Sequence, residues 1–260
     1  MSGAGPHVDL RLDARERGTV AYVTVDNRKI LNTLDSALMR AFIDKVDTLA
    51  PRDDLRALVV AGAGDKAFIG GANIPEMAAL TRDTARGFIT LVHECCHCLR
   101  RLPVPAIAAI DGYALGAGLE VAASCDLRVA TNRAKFGMPE VKVGLPSVVE
   151  AALIPQLIGY GRARELLMLG EIIDADTALR WGLVKRVVVP AALDAEVESI
   201  VAFLLSAGPQ AVRAQKALMQ QWEKLPIDDA IAAGIDAFER AYDSDEPHRL
   251  LSAFAGRKRG

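Results

Sequence analysis

The chain has 260 residues, 51% hydrophobic and 25% charged, with a formal net charge of -2. That is enough apolar mass for one large core, and the balanced charge gives no electrostatic reason to expect nucleic acid or an anionic membrane as a partner. Residues 1–20 contain no apolar core of a secretory signal, and no run of about 18 apolar residues offers a bilayer span. Three of the four cysteines crowd into Cys95, Cys96 and Cys98, a spacing that suits no disulfide framework. The expectation is a reduced, soluble, cytoplasmic protein.

In chain order, VDLRLDARERGTVAYVTVDN alternates apolar and polar residues around Gly18 and reads as a β-hairpin. LDSALMRAFIDKVDTLA places Leu38, Phe42, Val46 and Leu49 on one helical face, and Pro51 closes it. LRALVVAGAG reads as a buried strand, and KAFIGGANIPEM as a short apolar piece running into a Gly-Gly turn. Residues 82–102 form a helix and residues 103–111 a strand. GYALGAGLEVAASC is a glycine turn opening a helix, and DLRVATNRAKFGMPE returns to extended chain. From residue 147 onward the pattern is almost wholly helical. Paired strands before each helix point to a spiral of small stacked units rather than a doubly wound sheet. The composition changes character near residue 190, and the last 50 or so residues suit packing on a neighbouring subunit.

His93-Glu94-Cys95-Cys96-His97 matches the H-E-x-x-H pattern of zinc proteases. On a helical wheel Phe88, Val92, Cys95, Leu99 and Leu102 share the apolar face, flanked by Ile89, Leu91 and Cys96. Arg86, Thr90, His93, Glu94, His97, Arg100 and Arg101 occupy the opposite arc. Both histidines then lie among arginines, and the continuation CLRRLPVP supplies no third histidine. The expectation is no metal, with the thiols toward the core and the histidines on the charged surface.

Two other turns carry more chemistry. Phe68-Ile69-Gly70-Gly71-Ala72-Asn73 and Gly112-Tyr113-Ala114-Leu115-Gly116-Ala117-Gly118 each follow a strand and open a helix. Each can therefore aim unpaired backbone N–H groups at one point. Neither is a phosphate loop. Together they could supply the two donors of an oxyanion hole. Glu120 follows among Leu119, Val121, Ala122 and Ala123, an apolar setting that is costly for a carboxylate without a role. Glu140 comes twenty residues later, after Gly137-Met138-Pro139.

The motifs AFIGGANIPEM, AAIDGYALGAGLEVAASCDLRVA and KFGMPEVKVGL, in that order and spacing, resemble the crotonase (enoyl-CoA hydratase/isomerase) superfamily from about residue 15 to the C-terminus. The resemblance implies an α/β fold: a crotonase-like spiral of ββα units over residues 1–190 and a C-terminal helical trimerisation region over residues 191–260. A homotrimer or dimer of trimers acting on a coenzyme A thioester, with no other cofactor, is implied with it. The oxyanion donors fall on the N–H groups of Ala72 and Ala117, and the catalytic glutamates on Glu120 and Glu140. The CoA channel falls on Lys29, Ile30, Leu31, Asn73 and Ile74, with Phe254 and Arg257 reaching the nucleotide end from a neighbouring subunit.

Glutamate at both positions implies syn addition of water to a 2-enoyl-CoA in lipid metabolism. GLPSVVEAALIPQLIG stands where most hydratases carry a Pro-Gly-x-Gly-Gly run, so Ser147 and Val148 reshape the wall beside Glu140. In this it is similar to a subgroup that includes methylthioacryloyl-CoA hydratases, and thioester hydrolysis by the same residues stands as the alternative. An RNA-binding role wants a lysine-rich helix, whereas residues 34–50 carry only Arg40 and Lys45 against Asp35, Asp44 and Asp47.

Overall fold

The computed structural model describes residues 5–257, with the side chain of Arg257 outside the described part. Strands β1 (His7–Arg15) and β2 (Gly18–Asp26) form the expected antiparallel hairpin. Helix α1 (Ser36–Asp47) follows, its N-terminus capped by the Asp35 carboxylate, which accepts from the Leu38 N–H at 2.8 Å. A long strand, a short strand and a helix then recur. First come β3 (Leu55–Gly62), β4 (Ala67–Ile69), α2 (Ile74–Ala78) and α3 (Arg82–Arg101), and then β5 (Ala106–Ile110), β6 (Tyr113–Leu115) and α4 (Ala117–Ser124). The third unit has β7 (Leu127–Thr131) and β8 (Lys135–Gly137), followed by 3-10 turns at Pro139–Val143 and Val149–Leu153.

The long strands collect in one sheet of order β1-β2-β3-β5-β7 and the short ones in another of order β4-β6-β8, so the chain winds as a spiral. Within each sheet these neighbours are parallel apart from the first hairpin. Parallel strands need covered faces, which is why β3 reads as an unbroken apolar run and is buried from Leu55 to Val60.

The remaining helices are α5 (Ile154–Ile158), α6 (Tyr160–Leu169), α7 (Ala175–Trp181), α8 (Leu193–Ser206), α9 (Pro209–Trp222), α10 (Ile227–Ala241) and α11 (Glu246–Arg257). Two strands interrupt them and correct the expectation of an almost wholly helical second half. Strand β9 (Ile172–Asp174) pairs antiparallel with β8, and β10 (Arg186–Val188) adds a parallel edge to β7. Three residues are too few to show a period, so only their partners reveal them.

One core lies between α1, α3, α4 and the sheets and includes Leu58, Phe42, Val92 and Phe136. A second lies on the other face of the long-stranded sheet, where Val197, Ile200 and Val201 of α8 cover Val20, Val59, Ile107 and Val129. No described helix is long and apolar enough to cross a membrane.

Candidate active site

The two glycine turns meet where the short-stranded sheet ends. Ala72 bridges Leu34, whose carbonyl accepts from the Asn73 N–H and whose own N–H donates to Gly71 O. The Ala72 N–H is left without an acceptor among the described residues, as is the N–H of Ala117, the first residue of α4. Gly71 has φ +113° and Gly116 φ +51°, backbone that L side chains rarely adopt. A Cβ on Gly116 would sit 2.5 Å from Glu140 Oε1, so the Glu140 carboxylate lies directly against the second turn.

Ala72, Ala117, Glu120 and Glu140 line one cavity of about 920 Å³, together with His93 and Val149. Helix α4 is buried over its whole length, and Glu120 is only 4% exposed. Burial, reinforced by the nearby charges of Glu140 and Glu150, pushes the Glu120 carboxyl up to about 8, against the pull of the Ala151 N–H, which donates to Glu120 Oε1 at 3.1 Å. At neutral pH this side chain therefore holds a proton. Ser147 Oγ donates to Glu140 Oε2 at 2.8 Å, so the variant loop secures the second carboxylate.

The other expected site residues fall elsewhere. Lys29, Ile30 and Leu31 form an exposed lip, with Leu31 O accepting from the Gly70 N–H at 2.8 Å. Asn73 caps α2 through its side chain, accepting from the Glu76 N–H, and Ile74 is 56% exposed. None of these five lines the cavity. Phe254 lies on α11, away from the cavity lining, and the Arg257 side chain lies outside the described residues.

The H-E-x-x-H segment lies as expected, with one contact added. The thiols of Cys95, Cys96 and Cys98 do face the core, and burial raises all three. His97 is exposed and Glu94 pairs with Arg101. His93 is partly exposed, as expected, and shares the cavity lining with Arg82 and Arg86. Its Nδ1 also lies 2.8 Å from Oε1 of the buried Glu150, a partner the wheel does not show. The wheel misses this because the 3-10 turn at Val149–Leu153 packs over part of the polar arc of α3. The only signal in the sequence is a lone Glu in the apolar run VVEAALIP. Among the described residues, no three His, Cys, Asp or Glu side chains are grouped to hold a metal ion.

Gly116→Ala tests the contact between the second turn and Glu140. The added methyl must displace the carboxylate, and a misplacement of this kind is expected to lower kcat by about 100-fold. The forced φ should destabilise the fold by about 1–3 kcal/mol. Steady-state kinetics and thermal unfolding of the variant check both; unchanged turnover would place Glu140 outside the reaction.

Comparison with known proteins shows the family of the chain. A family model described as enoyl-CoA hydratase/isomerase matches residues 15–259. The chain is 34% identical to the short-chain-enoyl-CoA hydratase of Clostridium acetobutylicum, with 94% of each chain covered. It is also 34% identical to the crotonyl-CoA hydratase of Syntrophomonas wolfei, with 95% of each covered. A crystal structure of the enoyl-CoA hydratase of Mycobacterium smegmatis superposes with a TM-score of 0.90 at 33% identity, covering 95% of this chain and 96% of that one. With the paired glutamates, the two glycine turns and the ββα spiral all in place, the chain belongs to the enoyl-CoA hydratase/isomerase family.

Proposed function

We propose that this protein is an enoyl-CoA hydratase, adding water syn across the Cα=Cβ bond of a 2-enoyl-CoA thioester. The observation that carries the reading is one cavity that brings the buried carboxyl of Glu120 together with Glu140 and two N–H groups without acceptors among the described residues, burial pushing Glu120 up to about 8. Attack of water at Cβ pushes charge onto the thioester oxygen. The Ala72 and Ala117 N–H groups stabilise that enolate, each by about 3 kcal/mol. Water must lose a proton as it attacks, and Cα must gain one. A carboxyl pair sharing one proton does both, Glu120 holding the proton at rest and Glu140 accepting from water. Coenzyme A enters as part of the substrate, and the chemistry calls for no further cofactor.

The pantetheine arm would cross the lip formed by Lys29, Ile30 and Leu31 and pass Asn73 and Ile74. Residues 191–260 would serve as the trimerisation region. Ile227, Ile231, Ile235 and Phe238 form an exposed apolar stripe along α10, continued by its C-cap Tyr242, a surface that suits burial against a second copy in a trimer or dimer of trimers. Phe254 and Arg257 would then reach the nucleotide end of CoA in a neighbouring subunit. A cytoplasmic site of action fits a chain whose four cysteines are all unpaired.

A panel of enoyl-CoA thioesters, assayed in parallel for loss of enoyl absorbance and for free thiol, tests the reading. Hydration without thiol release is expected; thiol release without hydration would make the protein a thioester hydrolase. The pH dependence offers a separate check. An acid that must be protonated in the free enzyme is lost as pH rises through its folded value. For Glu120 kcat/KM should therefore be level toward pH 7 and fall about tenfold per unit beyond about 8. A carboxyl with the ordinary value of 4.5 would give no such alkaline limb.

A further inference from the structure

His93 and Glu150 lie outside the machinery derived so far, yet both adjoin it. Glu150 is 7% exposed and sits in the 3-10 turn Val149–Leu153. Its Oε1 meets His93 Nδ1 at 2.8 Å, and its Oε2 has no partner among the described residues. A buried charge with a single ligand is costly, so the His93 contact is what holds it in place. The residue before it, Val149, has φ +42°, which a β-branched side chain adopts only when its surroundings enforce it, and Val149 lines the cavity. The residue after it, Ala151, donates its N–H to Glu120. One turn of chain thus carries a cavity wall, an anchor to α3 and the only hydrogen bond to the buried carboxyl among the described residues, in consecutive positions.

We propose that His93 and Glu150 are a positioning pair for the reaction at Glu120: their contact ties the 3-10 turn to α3, keeping the Ala151 N–H on Glu120 and Val149 against the substrate. This deepens the hydratase reading and rests on it only through the role of Glu120. His93 is stacked on His97, with ring centroids 5.3 Å apart, so its ring plane is also fixed from the solvent side. The pair makes no hydrogen bond to Glu120 or Glu140 and reaches Glu120 only through the turn that carries the Ala151 N–H. Its effect is therefore expected on the rate of the chemical step, where Glu120 acts, more than on ground-state binding.

The test compares purified full-length variants on the best thioester of the panel. His93→Ala is expected to lower kcat about tenfold or more with KM within about twofold, whereas His93→Asn, whose amide can replace the Nδ1 donor, should recover most of the loss. Glu150→Gln, which keeps an acceptor for His93 at the same size, should also retain most of kcat. In a Glu120→Gln background, His93→Ala should cost less than about twofold more, since a pair acting through Glu120 has nothing left to position. Folded His93→Ala with wild-type kcat would overturn the proposal. So would the same fold-loss in both backgrounds, or a loss confined to KM. If the wild-type enzyme releases thiol instead of hydrating, the comparison is read on that product; full activity of Glu120→Gln on either product would instead sink the assignment of Glu120.

Discussion

Glu120→Gln is expected to lower kcat by at least about 100-fold while raising the unfolding temperature. The loss follows from removing a proton that the chemistry needs at Cα, since a Gln amide cannot deliver one. The gain follows from the same burial that prepares the acid. A carboxyl at about 8 in the folded chain and 4.5 in the unfolded one is bound more tightly to its proton when folded. Below pH 4.5 both states hold the proton and nothing is lost. Between 4.5 and about 8 the unfolded chain has released it while the folded chain has not, so the penalty against folding grows and levels off above about 8. At pH 7 it is roughly 3 kcal/mol, taking 1.36 kcal/mol per pH unit. Gln removes that penalty, and its carbonyl can still accept from the Ala151 N–H. Thermal unfolding of both proteins at pH 4.5 and pH 7.5 checks the sign: the variant should be favoured at the higher pH by several degrees and much less at the lower. An equal shift at both values would mean that Glu120 is not protonated by burial.

Glu140→Gln should lower kcat to a similar extent, by at least about 100-fold, and the double variant should be little worse than the poorer single one. The two carboxylates act on one water, so once either is lost the other has no step to complete. The supporting contacts differ. Glu140 is held from the variant loop by Ser147 Oγ, and its Oε1 is packed against Gly116. A Gln there keeps the volume that Gly116 requires, so loss of activity reports chemistry rather than collapse of the turn. Two solvated glutamates with no shared substrate would leave all three variants near wild-type turnover. Independent losses that multiply in the double variant would argue that the residues serve separate steps. The measurement is kcat for all four proteins on one substrate, with both hydration and thiol release followed.

Much of the fold follows from local pattern. The hairpin around Gly18, the amphipathic α1 and the apolar face of α3 are written in periods of two and 3.6, and each element formed where its period runs. Family membership is also legible locally, through the resemblance of the motifs AFIGGANIPEM, AAIDGYALGAGLEVAASCDLRVA and KFGMPEVKVGL, which the family match over residues 15–259 bears out. Periodicity describes one element at a time, however, and says nothing of what lies across from it. The strands β9 and β10 exist only because β8 and β7 offer edges, and α8 covers the second face of the sheet because β-strand burial needs two sides. His93 shows the limit most clearly. The wheel puts it on a polar arc, but the turn at Val149–Leu153, more than fifty residues later in the chain, turns that arc into a cavity wall with a buried carboxylate against it. The protonation of Glu120 belongs to the same class. Any glutamate in the sequence has an ordinary carboxyl, and only desolvation by the packed core, with Glu140 and Glu150 brought alongside, turns this one into an acid at neutral pH.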